Sequence, residues 1–366
     1  MKVMHILDSL NRGGTEMLTL DVCRNARANN LDLTLVVTGS GELESEFKNS
    51  GAHFYRLERR GPVDLKLARK IRSIIEENRI EVVHTHQAVE ALHAYLATRR
   101  SANIKRVMTF HLCTSDAKNK LALNLLVPRM HANVAVSQEL LNCLQATAGF
   151  DTTERFYVVH NGVDRHRLKP TGTDLRKELG IAANNLLLGM IANFYPDRRK
   201  DQLTICRSLP AFFAAVPEAH FVFVGGDVDA GPEMERCVAA CHDLNITDRV
   251  RFLGNRADIP DILQALDIYV HSSVNESLGM AVVEAMLSGV ATVVSDIGAL
   301  LEVTGNGEVA VVFRTGDAGD LAAKLVALAG DADRRGELAQ RGQDYALRHF
   351  TIEAHISRLI ELYNKI

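Results

Sequence analysis

Short apolar runs alternate with amphipathic stretches along almost the whole chain. In the first half, strands are expected at 2–7 (KVMHIL), 33–38, 53–57, 81–84 (EVVH), 106–110 (RVMTF), 133–136 and 156–159. Between them apolar residues recur at helical spacing, as at 16–29, 64–78 and 88–99. The pattern breaks at Asn161-Gly162-Val163-Asp164 into a polar stretch ending at Pro170, and then resumes. Further strands are expected at 186–191, 220–224, 250–253, 267–270, 290–294 and 309–313. Helices are expected at 201–214, 233–244, 258–266, 278–287, 317–329 and 333–347, and a last one at 351–365. Strands alternating with helices in this way build βαβ units and parallel sheets. The chain thus reads as two doubly wound α/β domains with a linker near 165–180. Ligands in such folds bind at the carboxyl ends of the strands, here expected where the two domains face each other across a cleft.

The length of 366 residues agrees with two domains, and 47% hydrophobic with 24% charged residues is the profile of a globular protein. No run is long and apolar enough for a membrane span, and the N-terminus reads as a strand instead of a secretory signal, so a cytoplasmic location is expected. Cys23, Cys113, Cys143, Cys206, Cys237 and Cys241 lack CxxC spacing and are expected as reduced thiols, not as a metal site. Charge is uneven: residues 1–170 carry a net +6 and the rest −9, together the −3 of the chain. A basic first half suits an anionic partner such as a membrane surface, and peripheral attachment is expected from it. Nothing points to nucleic acid.

Candidate chemistry clusters after the strands. Arg12-Gly13-Gly14-Thr15-Glu16 follows the first strand and opens a helix, a place where backbone amides can approach a phosphate. It lacks the GxGxxG spacing of a dinucleotide site. Asn193 to Lys200 (NFYPDRRK) puts Arg198, Arg199 and Lys200 at a strand end, where cations neutralise a diphosphate. In HSSVNESLGMAVVEAM, Glu276 precedes a helix and Glu284 lies within it. Between them the amides of Gly279, Met280 and Ala281 open the helix. Eight residues of helix rise span about 12 Å. An elongated ligand with its anion on those amides has one polar end near each carboxylate, and a nucleoside diphosphate sugar is such a ligand. Asp227-Val228-Asp229 spells a DxD metal motif, but its place after FVFVGG argues against a metal role. Lys118 to Arg129 pairs basic residues with an apolar stripe and reads as a membrane-touching, acceptor-guiding or ordinary packed helix.

Glu276-x7-Glu284 resembles the E-x7-E motif of glycosyltransferase family 4, retaining enzymes of the GT-B fold. The Gly13-Gly14 loop, a histidine after the TF strand, VVHNGVD, the basic loop at 198–200, RVRFLGNRADIPDILQALDIYVHSS and a closing helix follow in the family's order, so the resemblance covers the whole chain. It implies a GT-B protein with two Rossmann-like domains: an acceptor-side domain, 1–168, joined by the C-terminal helix 350–366, and a nucleotide-sugar domain, 169–349. It also implies that Glu276 contacts donor-sugar hydroxyls, Glu284 the ribose, Gly279, Met280 and Ala281 the phosphate or sugar, Lys200 the diphosphate, and Gly14 the donor from the first domain. Gly254 to Arg256 then lie near the base. Many members carry an arginine where Asn193 stands, a departure that leaves Arg198 or Arg199 to compensate. His111 (VMTFHLCTSD) matches the family's histidine on the acceptor side of the donor sugar, and His84 and His86 are supporting candidates. The implied activity is metal-free, cofactor-free transfer from a UDP-sugar, or alternatively a GDP-sugar, to a lipid-linked, lipopolysaccharide or polysaccharide acceptor. Rival readings are a non-catalytic sugar-nucleotide-binding subunit and a GT-B sugar-nucleotide epimerase.

Overall fold

The computed structural model describes residues 1–113, 117–228 and 231–366. It divides into two compact units, Met1–Asp164 with Phe350–Ile366, and Arg165–His349.

The first unit is built on β1 (Lys2–Leu7), β2 (Asp32–Val37), β3 (His53–Arg56), β4 (Val82–Thr85), β5 (Lys105–Phe110), β6 (Ala132–Ala135) and β7 (Phe156–Val158). Among the described residues these form one parallel sheet in the order β3-β2-β1-β4-β5-β6-β7. The central strand β1 is buried from Val3 to Leu7 without alternation because helices cover both faces of the sheet. One face packs Leu18, Val22 and the C-terminal helix Ile352–Lys365 through Ile356 and Leu359. The other packs Leu67, Ile71 and Ile75 of the helix Leu65–Asn78. That helix starts where expected because Asp64 caps it, accepting from the amides of Lys66 and Leu67.

The second unit carries β8 (Leu187–Ile191), β9 (His220–Val224), β10 (Val250–Phe252), β11 (Ile268–His271), β12 (Ala291–Ser295) and β13 (Val311–Phe313). Their order is β10-β9-β8-β11-β12-β13, again parallel. In each sheet the order reverses beside the first strand, between β1 and β4 and between β8 and β11. Doubly wound folds open a binding crevice at the carboxyl ends of such strands.

The linker expected near 165–180 is packed against the second unit: Asp261 accepts from the amides of Thr171, Gly172 and Thr173 at 2.7–3.0 Å, and Leu175–Leu179 is helical. The hydrogen bonds pull the Asp261 carboxyl down to about 2 although burial opposes its ionisation. One expectation needs correction. The six cysteines are not all reduced: Cys113 and Cys143 form a disulfide, tying the chain just after β5 to the helix Gln138–Cys143, while Cys23, Cys206, Cys237 and Cys241 are free and buried. Spacing did not reveal the pair because it joins residues 30 apart.

Among the described residues no helix is long and apolar enough to cross a membrane. The helix Ala117–Leu126 leaves Leu121 and Leu125, one turn apart, exposed. The side chain of Lys118, residues Thr114 to Asp116 and Asp229 lie outside the described residues.

Candidate active site

In the second unit the loop after β8 is laced to the loop after β11. The amide of Asp201 donates to Ser272 O (2.9 Å), that of Val274 to Arg199 O (2.9 Å), and Lys200 bridges Ser273. Ser295, at the end of β12, holds the second loop by accepting from the Ser273 amide (2.8 Å) and donating to Ser273 O (2.9 Å). This lacing directs Lys200 onto Glu276. The Lys200 ammonium pairs with Glu276 Oε1, both side chains being largely buried. His271 Nε2 lies 2.6 Å from the same oxygen and Ser273 Oγ 3.1 Å.

Burial opposes ionisation of Glu276, but the His271 hydrogen bond and the Lys200 charge outweigh it and pull the carboxyl down to about 2. Burial and Lys200 keep His271 below its ordinary value, hence neutral. It therefore donates from Nε2 to Glu276 and accepts the Tyr269 hydroxyl on Nδ1 at 2.9 Å. Three donors saturate Oε1. No donor among the described residues reaches Oε2, which is left for a ligand.

Glu284 lies on the second turn of the helix Met280–Leu287, where Arg167 Nη1 donates to its Oε1 at 2.9 Å. Here too one carboxylate oxygen is engaged and the other is left. Gly279 caps this helix at φ +91°, and a Cβ there would stand 2.7 Å from Leu300 Cδ2. Only glycine meets both conditions without strain. The amides of Met280 and Ala281 open the helix with no intrahelical acceptor. The structure thus sets Glu276, Gly279, Met280, Ala281 and Glu284 on one loop and helix, and Lys200 reaches Glu276 from the laced loop after β8.

The other expected cations are committed elsewhere. Arg198, itself at φ +55°, pairs with Glu233 at 3.3 Å. Arg199 pairs with Asp197 and stacks on Tyr195. Arg256 is held between Glu178 and Asp258, 2.7 Å from each, which raises its pKa. Asn193 Oδ1 accepts from the Gly226 amide at 3.3 Å and so braces the turn after β9. Gly254, at φ +63°, gives its carbonyl to the Gly225 amide in the same turn. Asp227 accepts from the Met234 amide, a helix-starting role. Among the expected cations only Lys200 meets Glu276.

In the first unit Gly13 caps the helix Gly14–Asn25, and a Cβ on Gly14 would meet nothing within 4 Å. Packing does not demand glycine there, in keeping with close approach of a ligand. His111 follows β5 and is the outer end of a chain of hydrogen bonds. His111 Nε2 lies 3.0 Å from His86 Nδ1, and His86 Nε2 3.2 Å from His5 Nδ1. Tyr363 Oη, from the C-terminal helix, lies 3.4 Å from His5 Nε2 and 2.5 Å from His84 Nδ1; His84 Nε2 lies 2.7 Å from Thr109 Oγ1. Burial pushes all four imidazoles down, His5 to about 3 and His111 to about 4. Each ring is thus neutral, with one N–H and one lone pair. The bonds linking His5, His86 and His111 must then run in the same direction, while the Tyr363 hydroxyl, with two lone pairs, can accept from both His5 and His84; His111 Nδ1 is an acceptor or a donor according to the tautomers behind it.

A prediction follows from this coupling. Tyr363→Phe should move the side-chain nitrogen resonances of His86 and His111, which Tyr363 does not touch. Shifts confined to His5 and His84 would show that the rings are not coupled.

Sequence reasoning missed Tyr269, His271, Arg167 and Tyr363. The first two had a local signal: on a strand leading to Glu276, DIYVHSS alternates so that Tyr269 and His271 share a face.

Two family models match consecutive parts of the chain: Glycosyltransferase Family 4 over residues 12–167 and Glycosyl transferases group 1 over residues 185–331. The chain is 27% identical over 312 residues to an N-acetyl-alpha-D-glucosaminyl L-malate synthase of Bacillus anthracis, covering 82% of this chain and 79% of that protein. It is 23% identical over 321 residues to a UDP-Gal:alpha-D-GlcNAc-diphosphoundecaprenol alpha-1,3-galactosyltransferase of Escherichia coli, covering 81% and 80%. Among solved structures, Anabaena Alr3699/HepE in complex with UDP is similar over the full length of both chains, with a TM-score of 0.86 at 22% identity. The paired sheets, the Lys200–Glu276–Glu284 constellation and these matches agree, and the chain belongs to glycosyltransferase family 4, enzymes built on the GT-B fold.

Proposed function

We propose that the protein transfers a sugar from a UDP-sugar to a lipid-linked or polysaccharide acceptor, with retention at the anomeric carbon and without a metal ion. The observation that carries this reading is the Lys200–Glu276 pair beside the opening amides of the helix Met280–Leu287. The ammonium and the amides suit the diphosphate, the open oxygen of Glu276 suits sugar hydroxyls, and that of Glu284 suits the ribose. UDP is supported by the Anabaena complex and by the galactosyltransferase's donor, and a lipid-linked acceptor by that same relative's diphosphoundecaprenol substrate. Exposed Leu121 and Leu125 are in keeping with an acceptor that has an apolar part.

The bond from the anomeric carbon to the diphosphate breaks first, and its electron pair stays on the departing oxygen. Lys200 and the helix amides stabilise that charge as it develops. The acceptor hydroxyl adds on the face the diphosphate leaves, which retains configuration, and its proton passes to the departing diphosphate oxygen. His111 positions the acceptor through Nδ1.

Glu284→Gln tests the donor assignment. The carboxyl is remote from the breaking bond, so the fold should survive and turnover at saturating donor should change little. UDP-sugar affinity should fall by about 10- to 150-fold, the loss of a charged hydrogen bond worth roughly 1.5–3 kcal/mol. Unchanged affinity by calorimetry would leave Glu284 as nothing more than the partner of Arg167.

A further inference from the structure

The first unit has a concavity of about 410 Å³ at the end of its sheet away from His111. Arg106 is the second residue of β5 and His111 follows the last, so about 16 Å of strand separates them. His131 and Arg155 immediately precede β6 and β7, on the same amino-end rim. Arg106, Arg129, Arg155 and Lys365 line the hollow together with the rings of Tyr95 and Tyr157.

These cations are oriented by neutral groups. Arg106 Nε donates to Arg129 O at 3.0 Å, Arg155 Nη1 to Pro128 O at 3.0 Å, and Arg129 Nη1 to Leu125 O. Arg106 and Arg129 both lie against the Tyr95 ring, 5.8 and 5.7 Å from its centroid, and Lys365 lies 5.0 Å from that of Tyr157. Among the described residues no Asp or Glu carboxylate pairs with any of the four. The residues lining the hollow include no Asp or Glu, so positive charge is in excess there. The Arg106 amide donates to His131 Nδ1 at 3.0 Å. Burial and the cations Arg106, Lys105 and Arg155 hold His131 down to about 4, so it adds a neutral N–H donor and no charge.

We propose that this hollow is an anion-binding site for a phosphate-bearing ligand, a phosphomonoester or a diphosphate, separate from the donor-binding residues of the second unit. Pre-oriented guanidinium groups with spare N–H donors and no acidic partner match phosphate geometry. A single carboxylate has too little charge and too few acceptor positions for four cations, whereas a phosphate brings three oxygens and close to two negative charges. The same chemistry occurs in a soluble phosphate compound and in a phosphorylated lipid headgroup.

The test uses the full chain with pyrophosphate as the probe, read by hydrogen exchange so that the place of binding is resolved. Pyrophosphate should protect the backbone around residues 129–133 and 155–157, apart from any protection near Lys200. Arg129 and Arg155 are exposed, so the double variant Arg129→Gln/Arg155→Gln should fold. It should bind pyrophosphate at this place at least about tenfold more weakly while leaving the Lys200 region unchanged. Sedimentation with phosphatidic acid vesicles, lost in the double variant and displaced by pyrophosphate, would identify a lipid headgroup. Protection by pyrophosphate without such sedimentation would identify a soluble phosphate. No protection of these segments, or protection unchanged in the double variant, would overturn the proposal.

Discussion

Lys200→Ala should lower sugar transfer by about 10²–10³-fold, the usual loss when one group that stabilises developing charge is removed. It should also cost stability. Glu276 is buried and ionised, and without the ammonium it keeps only His271 and Ser273 as donors to Oε1. Breaking one side of a buried ion pair typically costs 3–5 kcal/mol, and the remaining hydrogen bonds place this case near the lower end, about 3 kcal/mol. The double variant Lys200→Ala/Glu276→Gln removes the stranded charge. It should regain most of the stability and none of the activity. If Lys200→Ala alone transferred sugar at the parent rate, Lys200 would be a structural partner of Glu276 and the charge on the leaving group would be met elsewhere.

The second large effect concerns Glu90, beneath the histidine chain. It is fully buried, and burial raises its carboxyl from the ordinary 4.5 to about 8, against hydrogen bonds from the amides of His86 and Gln87. Below pH 4.5 the folded and unfolded chains both hold its proton. Between 4.5 and 8 only the unfolded chain releases it, so this group's contribution to stability falls as pH rises, and above 8 the loss is complete. The buried histidines act in the opposite sense, losing stability as pH falls below 6.5. The parent should therefore be most stable near pH 6.5 and lose roughly 2 kcal/mol by pH 8. Glu90→Gln, which cannot ionise, should lose none over that interval. The gap between the two proteins should change by roughly 4–5 kcal/mol between pH 4.5 and 8. Urea unfolding at pH 4.5, 6.5 and 8 measures it, and parallel pH profiles would contradict the assignment.

The fold was legible because its signal is local. KVMHIL and HFVFV are runs too apolar for a sheet with one wet face, and helices between them carry their own caps, as at Asp64 and Asp201. Glu276 and Glu284 were legible because both lie on one loop and helix, where sequence spacing converts directly into distance. Partners across the fold were not. By residue type Lys200 was one of three cations in RRK, singled out only by the family resemblance, and it is the lacing of two loops that turns Lys200, and not Arg198 or Arg199, onto Glu276. Arg167 lies 117 residues from Glu284, and Tyr363 279 residues from His84. No periodicity reports such pairs. The Cys113–Cys143 disulfide and the basic hollow at the amino ends of β5, β6 and β7 were hidden for the same reason.

The most direct test of the account is proton NMR of slow donor hydrolysis, with EDTA present and a panel of UDP-sugars and GDP-sugars supplied. Water then takes the place of the acceptor. The account predicts release of UDP from at least one α-linked UDP-sugar, unaffected by EDTA and abolished in Lys200→Ala, with the α-anomer of the free sugar appearing first. First appearance of the β-anomer, or hydrolysis that needs added manganese, would contradict it.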